Sequence, residues 1–115
     1  MTPALSLAIL LSEGPAEDVR GSIARATIRA AVRATHRVLP VLFYSDAAYT
    51  LLPCPARDRW LQLADATGAT LVACPAAAER RGISVETLGP DTGIYPMGLP
   101  AWLGQALAAD RLLRL

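Results

Sequence analysis

The chain has 115 residues, and 11 basic against 10 acidic side chains leave a formal net charge of +1, a size that predicts one domain over residues 1–115. A composition 53% hydrophobic and 18% charged excludes a disordered chain, and the near-zero charge excludes a global field for capturing nucleic acid or an anionic membrane. Every basic residue is arginine, so neither lysine Schiff-base chemistry nor a P-loop is available.

The predicted elements alternate along the chain. Ala4–Ser12 is an apolar run, too short to span a bilayer and without the flanks of a signal peptide. It reads as a strand covered on both faces of a parallel sheet. Glu13-Gly14-Pro15 breaks it, and Val19 to about Thr35 reads as a helix, with Glu17 and Asp18 placed where the positive end of its dipole favours acids. Val38–Tyr44 is the second strand, with Pro40 early enough to be tolerated, and Ser45–Ala56 is expected to be an irregular loop. Arg57–Thr67 is a second helix closed by Gly68. Thr70–Ala73 is a third strand, and Cys74 precedes Pro75, a residue suited to the first position of a helix that runs on through Ala76–Arg81. Ile83–Pro100 is rich in glycine and proline and predicts a loop with one short strand near Ile94. Ala101–Ala109 forms a last helix and Arg111–Leu115 a last strand. Strands alternating with helices across short connections predict an α/β fold. The expected form is a three-layer α/β/α domain with a mostly parallel sheet of about five strands.

Two cysteines and one histidine supply neither a disulfide framework nor a four-ligand zinc centre, and no metal or cofactor is expected. Cys74 is the chemically informative residue. In a parallel sheet the loops after the strands emerge on one edge, where ligands bind. That edge would gather Ser12, Glu13, Ser45, Asp46, Tyr49 and Cys74. A thiol at the start of a helix faces unpaired N–H groups, whose field favours the nucleophilic thiolate. Arg80 and Arg81 add positive charge and Glu79 offsets part of it. The competing reading is a buried cysteine acting as a small hydrophobe.

The segment Leu71–Ile83, L-V-A-C-P-A-A-A-E-R-R-G-I, resembles the active-site stretch of the DsrE/TusD family of sulfur-relay proteins, a cysteine followed by a small-residue helix, a double arginine and glycine. Leu42–Tyr49 and Gly98–Leu115 are similar to two further motifs of that family, and Gly14-Pro15 and Gly21-Ser22 fall at its first loop and helix start. The likeness covers nearly the whole chain in order. It implies a cytoplasmic sulfurtransferase that accepts sulfane sulfur as a persulfide on Cys74 and passes it to an acceptor protein. The pathway it implies is tRNA 2-thiouridine formation or dissimilatory sulfur oxidation. The implied partners are copies of itself or related subunits, with sulfur donor and acceptor proteins and no direct tRNA contact. This chain departs from the family pattern at Ala47-Ala48, at Thr50–Pro53, at Pro75 and in a short Ser84–Pro100 stretch. The alternative is a non-catalytic subunit of the same fold in which Cys74 is structural. A nucleotide binder lacks its glycine-rich loop.

Arg25, Arg29, Arg33 and Arg37 recur every four residues, readable as a phosphate- or acid-binding stripe and more simply as a solvated helix face. Cys54 reads as an incidental loop thiol, or as a resolving partner for Cys74. His36 reads as surface structure, Trp60 and Trp102 as core or subunit interface. Asp46 reads as a turn residue or as a helper base beside Cys74.

Overall fold

The computed structural model describes residues 3–115. The strands are β1 (Ser6–Leu11), β2 (Arg37–Val38), β3 (Val41–Phe43), β4 (Leu71–Ala73), β5 (Ile94–Pro96) and β6 (Arg111–Arg114). The α-helices are α1 (Val19–Arg33), α2 (Pro55–Thr67), α3 (Pro75–Glu79) and α4 (Leu99–Ala106). Every ladder between these strands is parallel. Ala8–Leu11, Val41–Phe43 and Leu71–Ala73 are buried without a break. That is how strands read when both faces of a parallel sheet are covered.

Register fixes the strand order. Leu7 pairs with both Val38 and Arg111, and Leu10 with both Leu42 and Arg114. A residue has two edges, so β2 and β3 lie on one side of β1 and β6 on the other. The expected single strand Val38–Tyr44 is therefore two pieces of one line, because Pro40 donates no N–H and interrupts the ladder between them. From β1 the chain steps through β3 and β4 to β5, then returns across the sheet to β6.

Right-handed crossovers place the connections of the outward steps on one face and that of the return step on the other. Side-chain alternation agrees. Phe43, in register with Leu11, meets Trp60 of α2 edge-on, with ring centroids 5.0 Å apart. Leu10 and Arg114, on the opposite face, share a cavity with Trp102 and Leu103 of α4. The Trp102 indole also donates to the Pro40 carbonyl at 2.6 Å. The layers are thus α1–α3, sheet, α4.

Local differences from expectation have local causes. Ser45–Leu51 is not an irregular loop but 3-10 turns, and α2 begins at Pro55, since Pro55 suits the first helical position and the Cys54 sulfur accepts the Arg57 N–H at 3.4 Å. The third and last helices end sooner than expected, at Glu79 and Ala106. The acid at the start of α1 is Glu13, which accepts the Arg20 N–H at 2.8 Å, while Asp18 turns its carboxylate elsewhere. His36 is fastened rather than free, its Nδ1 accepting the Leu5 N–H at 3.0 Å.

Candidate functional site

The site follows from strand parity. Phe43 and Ala73 are in register and point to the α2 face. The residues after them, Tyr44 and Cys74, keep extended backbones, so both side chains turn to the α4 face. The Cys74 N–H donates to the Phe43 carbonyl at 3.2 Å, and its own carbonyl accepts from Ala78 at 3.1 Å. The thiol is held at a fixed point between β4 and α3.

Around it is a pocket of about 470 Å³ lined by Tyr44, Cys74, Pro75, Ala76, Arg80 and the segment Gly98–Pro100, within the size range of ligand sites. Its position has a topological reason. β4 and β5 are neighbours, yet their following connections leave toward opposite faces. The carboxyl ends of such strands open a crevice, the usual ligand position in open α/β sheets. Cys74 is 5% exposed, a nearly covered sulfur whose wall belongs to that crevice.

Only part of the expected edge gathers here. Ser12, Glu13, Ser45, Asp46 and Tyr49 do not line the pocket. Asp46 is no helper base beside Cys74: its carboxylate pairs with Arg81 at 3.0 Å. Arg81 also donates to the Ala77 carbonyl and the Ser45 hydroxyl, and its guanidinium lies 6.0 Å from the Tyr49 ring centroid. Of the two adjacent arginines, Arg81 is spent on fastening the 3-10 segment to α3, and Arg80 faces the pocket. Tyr44 and Gly98–Pro100 escaped the sequence reading. The parity of Tyr44 with Cys74 was a usable signal; the approach of Gly98–Pro100 was not, since it depends on β5 pairing beside β4.

Other candidates fall away from the site. Arg25 leaves the basic stripe, being 5% exposed and bound bidentate to Asp18 at 3.0 and 2.7 Å. It also lies 5.3 Å from the Trp60 ring centroid. Arg29 and Arg33 remain on the exposed face of α1, and Arg37 lies exposed on β2. Cys54 lines a different cavity, with Pro15, Asp18 and Arg59, and does not line the Cys74 pocket. Trp60 and Trp102 are both core. Among the described residues no cluster of three or more His, Cys, Asp or Glu is arranged to hold a metal. No helix among them is long and apolar enough to cross a membrane.

Residues 6–115 match the DsrE/DsrF-like family. The chain is 34% identical over 126 residues to a protein of Allochromatium vinosum provisionally named sulfurtransferase DsrE, the match covering 95% of this chain and 97% of that one. The crystal structure of the ychN protein from E. coli superposes with a TM-score of 0.73 at 18% identity, over 98% of this chain and 100% of that one, a likeness of fold. With a family match over almost its whole length and a cysteine seated at the sheet's crevice, this chain belongs to the DsrE/DsrF-like family.

Proposed function

We propose that this protein is a sulfurtransferase that carries sulfane sulfur as a persulfide on Cys74. The observation that carries the reading is the seat of the thiol, fixed by backbone bonds at the wall of a crevice at the carboxyl ends of β4 and β5. The name of the Allochromatium vinosum relative supports sulfur transfer as the class of reaction. In loading, the Cys74 thiolate attacks the outer sulfur of a donor persulfide. A new S–S bond forms as the donor's S–S bond breaks, and the donor leaves as a thiolate with the electron pair. The sulfane sulfur moves without net oxidation or reduction, and its proton moves with it. In unloading, an acceptor protein's thiolate attacks that outer sulfur and Cys74 departs as a thiolate.

We assign the protein to a cytoplasmic relay of this kind, serving tRNA thiolation or sulfur oxidation, in an assembly with itself or with related subunits. A second reading, a packed structural cysteine in an interaction subunit, draws on the low exposure of Cys74. Intact-mass measurement after incubation with polysulfide separates the two. Sulfur adducts of 32 Da steps are expected on wild-type and Cys54→Ser protein and absent from Cys74→Ser. Adducts on Cys74→Ser but not on Cys54→Ser would overturn the assignment.

A further inference from the structure

Arg80 is the charged side chain among those lining the Cys74 pocket; the others there are Tyr44, Pro75, Ala76, Gly98, Leu99 and Pro100. No carboxylate shares the wall. Its guanidinium has no hydrogen bond or ion pair with any described residue, in contrast to Arg81, whose donors go to Asp46, Ser45 and Ala77. The placement is not accidental to the helix. Ala76 and Arg80 stand four residues apart, on one face, and the methyl of Ala76 leaves room for the longer side chain beyond it. A thiol and an unpaired fork of N–H donors therefore share one pocket whose other side chains, the Tyr44 phenol apart, are apolar.

Resting on the relay reading above, we propose that Arg80 selects the sulfur donor. The pocket takes a low-molecular-weight sulfane-sulfur carrier that bears an oxyanion, carboxylate or sulfonate, a few bonds from its transferable sulfur. The planar guanidinium binds such a group bidentately, and the volume of about 470 Å³ suits a small molecule. The anion anchors the carrier while its outer sulfur meets the Cys74 thiolate. The bond exchange is the loading step already written, with the carrier's thiolate as leaving group.

Alkylation tests the anion preference independently of sulfur transfer. In Cys54→Ser protein, rates of Cys74 modification by iodoacetate and by iodoacetamide are measured and their ratio taken. The thiolate attacks the CH2 carbon of both reagents and displaces iodide, so the ratio cancels any change in thiolate fraction. Arg80→Gln should lower the iodoacetate-to-iodoacetamide ratio about tenfold, and Arg80→Lys should fall between, because charge survives but the fork does not. The wild-type ratio should also drop as ionic strength rises from about 0.01 M to about 1 M. Arg114, exposed in the adjoining cavity, supplies the control: Arg114→Gln should change the ratio by less than about twofold if contact rather than general field matters.

Sulfur loading is then followed by mass with the persulfides of 3-mercaptopropionate, 2-mercaptoethanesulfonate and 2-mercaptoethanol. The carboxylate and sulfonate carriers should outpace the neutral one in wild type and lose that lead in Arg80→Gln, and their relative rates name the preferred oxyanion. An unchanged alkylation ratio in Arg80→Gln, an equal effect from Arg114→Gln, or equal loading by charged and neutral carriers overturns the proposal. Failure of all three carriers to load Cys74 in protein that polysulfide does load overturns the proposal and leaves the relay reading standing. Failure of polysulfide as well, with the alkylation ratio still falling, sinks the relay reading and leaves only the anion preference of the pocket.

Discussion

Asp18 shows how far one carboxylate reaches into the fold. It sits in a left-handed backbone conformation, φ 54°, and its side chain makes no capping bond to α1. Instead it binds buried Arg25 and, at 3.1 Å, Arg59 of α2. Gly21 makes room for it, since an added Cβ there would collide with the Asp18 carboxylate. Burial alone would push this carboxyl up, but the bonds and charges of Arg25, then Arg59, outweigh that and hold it below 3.8. A carboxyl lowered in the folded state stabilises the fold above its unfolded value and loses that contribution as pH falls through the folded one. Asp18→Asn should therefore cost on the order of 2 kcal/mol at neutral pH, because it strands the Arg25 charge. The gap between variant and wild type should close as falling pH, below 3.8, protonates Asp18 in the folded protein. Urea unfolding at the two pH values checks both; a gap that widened in acid would contradict the assignment.

At the scale of elements, Arg81 joins two pieces that the chain leaves separate, α3 and the 3-10 segment Ser45–Leu51. Ser45 adopts a left-handed conformation, φ 53°, strained for a residue with a side chain. The bond from Arg81 to its hydroxyl, at 3.2 Å, helps hold it there. The Asp46 half of this contact is 65% exposed and is worth less than about 1 kcal/mol by itself. Arg81→Ala removes the whole set at once. It should speed amide exchange through residues 45–51 several-fold while changing global stability by only about 1 kcal/mol. Asp46→Ala should leave exchange there nearly unchanged. Exchange read by mass spectrometry distinguishes a clasp on one segment from a general loss of stability. Across the sheet a second clasp works the same way. Ser6 donates its N–H and hydroxyl to Asp110, and its hydroxyl accepts the Asp110 N–H. Those bonds hold the Asp110 carboxyl below its ordinary value and start β6 beside β1.

For the whole molecule, the arrangement leaves β6 at an edge of the sheet, with α4 above it. Apolar residues at the end of α4 are divided: Trp102 and Ala106 are buried, whereas Leu107, just past the helix, is 79% exposed. Leu112 on β6 is half-exposed, and a cavity of about 310 Å³ runs between the two elements. Unpaired edges and exposed apolar patches are surfaces that proteins cover. We propose that a second copy or a related subunit covers this one. Light scattering coupled to size exclusion should give a multiple of 12.2 kDa, reduced in a Leu107→Glu, Leu112→Glu double variant. A clean monomer at micromolar concentration, persisting with related subunits added, would refute it.

Short-range chemistry was legible in the residues themselves. Apolar runs, Pro and Gly stops and the strand-to-helix junction at Cys74 each depend on neighbours within a few positions. The alternation of elements, their order and the position of the candidate thiol could therefore be read directly, and the resemblance over the whole chain agreed with them. Tertiary structure decided what lies across the sheet. That β6 returns beside β1 and sends α4 to the opposite face is a matter of pairing between distant segments, and this pairing turns the ends of β4 and β5 into a crevice. It also separated residues that the sequence presents as equals. Arg80 and Arg81 differ by about 100° around a helix, so one faces the pocket and the other a neighbouring segment. Arg25 shares a four-residue period with Arg29 and Arg33, yet only Arg25 meets a carboxylate and an indole beneath the surface. Periodicity places a side chain on a face; which partner waits on that face is set by how the elements stack.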